Sequence, residues 1–447
     1  MEVKLAAVGG YSEVGKNMSA IKVGDEAVIL DMGFYLPVIV DYEEEGNDRS
    51  LLSADQMRKM GAIPDDTVLH AWKNNVKAIA CSHAHLDHTG AVPYGAPKYN
   101  APVIGTPFTI EVLKNMIHSE GLEVRNKYIP INVGSSYTVS KNIKVEFINV
   151  THSTPQTAII AVHTKEGVIV YTNDFKFDND PIIGKKPDLE RLRQLGKEER
   201  VLAVIVDALY SGAAQKTPSE RVAREMLKDV MLGTENHNNP MIVTCFASHI
   251  ARLRSIIDFG HKLNRKVVLL GRSMQKYAAA AEKVNIVKYS KEAEIVANAD
   301  KIKKKLVRME KEGMNSYLIV CTGGQGEPNS VLNKMLNKIY PFYFNQEDTM
   351  IFSNRIIPVE PNITNRAKME EKLRKFGVRI YKDIHVSGHG SREDIRDLIN
   401  MLNPEHVIPS HGHHKLTSPC AELAEEMGFK RRSEIHEVHN GQTIALE

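Results

Sequence analysis

Seven consecutive residues, Ser82-His83-Ala84-His85-Leu86-Asp87-His88, place three imidazoles and a carboxylate directly behind an apolar run at 76–81. Imidazole nitrogen and carboxylate oxygen are the donors that zinc and similar borderline cations take up. Where the chain leaves a strand extended, residues two apart face the same way, so His83 and His85 can grip one ion together. Asp87 and His88 then turn toward a neighbouring position. Four donors within six residues exceed what one ion takes from one loop, and two adjacent ions are implied. A solvated His-rich turn would hold the same residues, but further donors recur in like positions. His152 follows the apolar run at 145–150, and Asp174 follows the run at 168–172. A carboxylate such as Asp174 can bridge two cations about 3.5–4 Å apart, a spacing that suits a shared hydroxide nucleophile. Asp31, behind another apolar run, is suited to orient a ligand through hydrogen bonds rather than to bind metal.

Such donors need a rigid frame, and the remaining sequence describes one. The chain has 447 residues, 42% hydrophobic and 25% charged, which suggests two or three domains and excludes global disorder or a fibrous repeat. Up to about residue 205, short β-type runs are broken by Gly, Pro and Asn, with one helix expected over 107–118. Beyond that point, apolar strands at 201–206, 241–245, 267–270, 318–321 and 350–352 each precede a helix, the signature of a parallel sheet flanked by helices. The last segment reads as two strand-and-loop units around 385–389 and 407–411, joined by a helix over 392–402. Residues 35–66 read as a long loop with an acidic run at 41–45. KIKKKLVRMEKEG at 301–313 reads as a basic helix face, either solvated or in contact with nucleic acid.

A net charge of +3 is too small to drive nucleic-acid binding, so any polyanion site must be a local patch. Cys81, Cys245, Cys321 and Cys420 are far apart, form no CxxC pair, and read as reduced, mostly buried thiols. The N-terminus lacks a leader pattern and no window approaches 18 uncharged apolar residues, so no membrane association is expected and the expected location is the cytoplasm. GYSEVGKN at 10–17 nearly fits a phosphate loop, but Asn17 lacks the magnesium-binding hydroxyl and strand-like text follows. It reads as a glycine turn joining two strands.

The H-x-H-x-D-H pattern with a later His and Asp resembles the metallo-β-lactamase superfamily. GGYSEVGKNM at 9–18, LDMGF at 30–34, GTPFTIEVLK at 105–114 and TNDFKFDNDP at 172–181 resemble ribonuclease J, in the right order and over nearly the whole chain. The resemblance implies an α/β fold: a metallo-β-lactamase αβ/βα sandwich from 1–206 and 362–447, with a β-CASP domain, a parallel sheet flanked by helices, inserted at 207–361. It identifies three further motifs, on Asp207, on His389 in HVSGHG and on His411 in PSHGHH. By this likeness His411 completes the metal set of His83, His85, Asp87, His88, His152 and Asp174. Asp207 would support His389, which contacts the scissile phosphate and protonates the leaving oxygen, with His385 close by. Asp87, His389, Asp207 and His385 are the catalytic candidates.

Two divalent ions are implied, zinc or manganese, with nitrogen content leaning toward zinc. The chemistry is self-consistent: phosphodiester cleavage needs a hydroxide, charge stabilisation and a proton for the departing group, and two metals with an Asp-supported His supply all three. A His at the third motif is typical of members that cut RNA, so single-stranded RNA is the expected substrate. The resemblance implies 5′-to-3′ degradation from a 5′-monophosphate, in RNA decay and processing, rRNA included. Candidates for holding that phosphate are Ser248 and His249, Arg272 and Ser273, Gly323 and Gly324 with Gly326, and Ser387 beside His389.

The chain also departs from the pattern. It stops soon after the third motif, which matches the shorter archaeal members, and no KH module precedes Met1, which argues against the cleavage-factor endonucleases. The acidic residue expected after the third motif is replaced by His413 and His414, read as exposed loop residues. Asp207 is followed by Ala-Leu-Tyr, and residues 357–360 only partly match the family loop. An endoribonuclease of the β-CASP group, a small-molecule hydrolase such as a thioesterase, and a catalytically dead RNA-binding subunit are the rival readings. A homodimer or higher homo-oligomer is compatible with the sequence.

Overall fold

The computed structural model describes residues 1–44, 48–234, 239–357 and 360–447. Glu45 of the acidic run and Pro358 and Val359 of the departing loop lie outside the described residues. Among the described residues the strands form three sheets. The first runs in the order Gln442–Leu446, Val3–Gly9, Met18–Val23, Glu26–Leu30, Val76–Cys81, Val103–Gly105, Tyr128–Pro130. The second runs His406–Ser410, Val201–Asp207, Val168–Tyr171, Ala158–His163, Lys144–Asn149, Ser135–Thr138.

These two sheets share a core. Leu5, Ala7 and Ile21 of the first meet Phe147, Ile160 and Ile169 of the second. Alternate residues point the other way: Ala6 and Val8 face Ile39 and Leu113 of the helices Leu36–Glu44 and Pro107–Glu120. On the far side Ile159, Val170 and Val204 face the helices Leu189–Glu198, Arg392–Leu402 and His414–Glu426. Burial on both faces is why these strands read as unbroken apolar runs instead of an alternation. The product is a helix–sheet–sheet–helix sandwich.

The third sheet is wholly parallel, in the order Glu294–Val296, Lys266–Leu270, Tyr317–Cys321, Met241–Thr244, Thr349–Phe352, Arg379–Tyr381. Its faces are covered by Ile250–Lys262 and Arg272–Lys283 on one side and by Ala299–Glu312 and Asn362–Lys375 on the other. The alternation of strand and helix after residue 205 is thus realised. The return to the sandwich comes later than residue 362, because strand 379–381 pairs in parallel with 349–352 and helix 362–375 buries Met369 and Leu373 against the third sheet.

Two other expectations need correcting. Residues 35–66 are not a long loop: Leu36–Glu44 and Ala54–Lys59 are helices, the second started by a capping box between Ser53 and Gln56. The stretch 385–389 is a loop without a strand of its own. All four cysteines are free and buried. Among the described residues no helix is long and apolar enough to cross a membrane.

Candidate metal centre

Parallel register gathers the strand ends. Leu30 lies opposite Ala80, which puts Asp31 beside Ser82, and Asp207 lies opposite Ser410, which puts it beside His411. Asp31 is fully buried, with a positive φ of 59° that turns the chain as it leaves the strand. Its Oδ1 accepts the Ser82 N–H at 2.7 Å; its Oδ2 accepts the Ser82 and Tyr171 hydroxyls at 2.7 and 2.9 Å and the His88 Nδ1–H at 2.6 Å. The other nitrogen of His88 therefore faces inward. Asp31 orients His88 and is not itself among the clustered donors.

Asp174, buried at the end of strand 168–171, is the common member of three donor groups, two of four donors and one, with Asp207 and His389, of three. In one four-donor group, Asp174 Oδ2 lies 3.5 Å from both His83 Nε2 and His152 Nε2, and His152 Nε2 lies 3.1 Å from His85 Nδ1. In the other, Asp174 Oδ1 lies 3.1 Å from His88 Nε2 and 3.4 Å from His411 Nδ1, while Asp87 Oδ2 lies 3.8 and 3.9 Å from the same two rings. The donor atoms within each group lie within 4.8 Å of one another. His83 Nε2 and Asp174 Oδ1 are buried with no hydrogen-bond partner. An unmet buried polar atom costs about 1–3 kcal/mol, so orphans of this kind, one in each four-donor group, fit a cation. Burial, together with His83 alongside, pushes His85 down to about 3, which keeps a lone pair available for a metal. The cluster could hold metal ions.

At its rim, His389 Nδ1–H donates to Asp207 Oδ2 at 2.8 Å, and His389 Nε2 faces Asp174 Oδ2 at 3.9 Å. Burial opposes charge on this imidazole, but Asp207 and Asp174 outweigh it and lift the pKa to about 9. The preceding Gly388 accepts the His152 Nδ1–H on its carbonyl at 2.7 Å. A Cβ there would sit 2.7 Å from the His152 ring, so only glycine lets this loop approach.

Three family models match the chain. A family model for "Beta-lactamase superfamily domain" matches residues 63–189, one for "Ribonuclease J, beta-CASP domain" residues 238–369, and one for "Zn-dependent metallo-hydrolase RNA specificity domain" residues 377–436. Ribonuclease J of Methanocaldococcus jannaschii is 43% identical over 448 residues, spanning 100% of this chain and 99% of that one. The chain belongs to the ribonuclease J family. Ribonuclease J of Pyrococcus abyssi is 41% identical over 99% of this chain and 97% of its own, and Ribonuclease J 1 of Streptococcus pyogenes 30% identical over 100% and 74%. A crystal structure of a protein of unknown function from Enterococcus faecalis V583 covers 100% of both chains with a TM-score of 0.68 at 17% identity, a likeness of fold alone.

Against the site pattern implied by ribonuclease J, His83, His85, Asp87, His88, His152, Asp174 and His411 come together, with Asp207 and His389 at the edge. His385 does not join them. It sits among Arg252, His249, Glu220 and Lys176, where burial first and the nearby cations next push it down to about 2. Arg252 organises that surrounding: fully buried, it donates to both Glu220 oxygens at 2.5 and 2.8 Å, to Ser353 O at 2.9 Å and to Ile384 O at 3.1 Å. His249 is drawn into the same network, capping helix 250–262 and facing Glu220 at 3.4 Å, so it is not free to hold a phosphate. Ser248 turns instead to the metal centre, 3.1 Å from His85 Nε2. Ser387 accepts the His389 N–H on its hydroxyl at 3.0 Å and shapes that loop. Arg272 and Ser273 are exposed at the start of helix 272–283, and Gly323 and Gly324 lie in the loop after strand 317–321. A Cβ on Gly324 would meet the Asn354 side chain at 2.3 Å.

Asn17, which the sequence offers only as part of a glycine turn, stands at the centre. Its side chain lies 3.0 Å from both His88 Nε2 and His411 Nδ1, and its Nδ2 donates to Asp87 O at 3.1 Å. The glycines around it give the signal in retrospect, because a Cβ on Gly10 would meet Asn17 Oδ1 at 2.3 Å.

Proposed function

We propose that the chain is a metal-dependent ribonuclease that degrades single-stranded, 5′-monophosphorylated RNA from the 5′ end in the cytoplasm. The carrying observation is Asp174, one buried carboxylate shared by both four-donor groups. His83, His85 and His152 would hold one divalent ion and Asp87, His88 and His411 a second, with Asp174 between them. Zinc suits the nitrogen-rich set and manganese is the alternative. When bound, such ions lower the pKa of water and neutralise charge on phosphoryl oxygen.

The remaining work falls to the chain. Asp207 fixes the His389 Nδ1–H, so the ring presents Nε2 to the cluster and can deliver a proton to the departing oxygen. Asp31 and Gly388 hold His88 and His152 in the orientation that turns Nε2 inward. Loops at the carboxyl ends of the third sheet, bearing Arg272, Ser273, Gly323 and Gly324, would receive the 5′-phosphate. The sandwich and the third-sheet unit would be the metallo-β-lactamase and β-CASP domains. The relatives named ribonuclease J and the RNA-specificity match support an RNA substrate.

Digestion of RNA labelled at either end tests the direction of attack. Release of mononucleotides from the 5′ end, faster for 5′-monophosphate than for 5′-triphosphate, is expected. A ladder of internal fragments indifferent to the 5′ group would make the chain an endonuclease.

A further inference from the structure

A cavity of about 550 Å³ opens at the outer edge of the third sheet, away from the metal centre. Its walls are the edge strand Glu294–Val296 and the helix Ala299–Glu312. Lys301, Lys304, Lys305 and Arg308 line it. Their spacing of three, four and seven residues from Lys301 sets them on one stripe of the helix. The stripe is partly built into the fold: Lys305 is buried, pairs with Glu294 at 2.6 Å and lies over the Tyr317 ring at 4.9 Å, and Arg308 pairs with Glu312 at 2.5 Å. Lys301 and Lys304 are exposed and have no ion-pair partner among the described residues.

More cations lie nearby. Lys334 has Arg272 and Lys303 as charged neighbours; burial first, then these two cations, lower its pKa below the ordinary lysine value. In a chain with a net charge of only +3, so many cations in one region are a local feature. The edge strand lies three strand spacings from Met241–Thr244, the strand that leads to Ser248 and the metal centre, or about 14 Å.

We infer that this lysine-lined cavity is an anchor for the phosphate backbone of RNA, outside the cleft where cleavage occurs. The inference rests on the reading of the chain as a ribonuclease. The paired members of the stripe hold its shape, and Lys301 and Lys304 are left to replace counterions on phosphates. The lining residues include Gln275 and Asn298 but no aromatic side chain on which a base could stack, so the contact is to backbone and independent of sequence. RNA short enough to lie within the cleft leaves the anchor unoccupied; longer RNA engages both.

The test measures RNA binding by wild type, by the Lys301→Ala/Lys304→Ala double variant, and by Lys185→Ala/Lys186→Ala, which removes the same charge from an exposed loop elsewhere. For RNA of about 30 nucleotides the first double variant should bind roughly tenfold more weakly, with the slope of log K against log salt shallower by about 1.4, the value for two lost phosphate contacts on a single strand. Its turnover of a tetranucleotide should match wild type. Unchanged affinity and slope on long RNA, an equal loss on the tetranucleotide, or an equal loss in the Lys185/Lys186 variant would each overturn the anchor. Failure of the wild type itself to bind RNA would refute the ribonuclease reading instead.

Discussion

Replacing Asp174 with alanine is expected to empty both metal positions and abolish RNA cleavage. The other six donors of the two four-donor groups split into two sets of three that share only this carboxylate. Without it, each set retains three donors but loses the anion that offsets two adjacent dications in a buried pocket. Metal-ion stabilisation of a phosphoryl transition state is worth several kcal/mol, and each 1.36 kcal/mol is tenfold in rate, so a loss of about 10³-fold or more follows. Metal content by elemental analysis and single-turnover cleavage on the same preparation check it. A variant that kept both ions and cut at a tenth of the wild-type rate would remove Asp174 from its central place.

His389→Ala should separate chemistry from metal binding. The ring touches the cluster only at its rim, 3.9 Å from Asp174, and its other nitrogen is held by Asp207. Loss of a positioned proton donor typically costs about 10²–10⁴ in rate. The variant should therefore retain the wild-type metal content and RNA affinity while kcat falls by that factor. Asp207→Asn should move in the same direction, because an amide lacks the negative charge that favours the protonated ring. Loss of metal from His389→Ala would make it a ligand instead of a proton donor.

Legibility in the sequence tracked how local each feature is. The run at 82–88 declares itself because its donors are contiguous and follow a buried strand. Asp207 and His389 bond across 182 residues, and only resemblance to a family linked them before the fold did. Asn17 carried no metal signature: a small amide in a glycine turn looks like punctuation, and its position depends on how strands 3–9 and 18–23 meet the 86–89 helix. His249 and His385 sit in motifs that suggest chemistry, but the buried pair of Arg252 and Glu220, 32 residues apart, claims both. Neither partner advertises its burial. The helices within 35–66 are obscure for a different reason. The acidic run resembles a solvated loop, although Ser53 followed three residues later by Gln56 is a helix start.

Anomalous diffraction from crystals of the metal-loaded protein, collected at the metal absorption edge, tests the central claim most directly. Two peaks are expected, one among His83, His85 and His152 and one among Asp87, His88 and His411, on either side of Asp174. A single peak, or peaks remote from these side chains in a preparation that still digests RNA, would contradict the account.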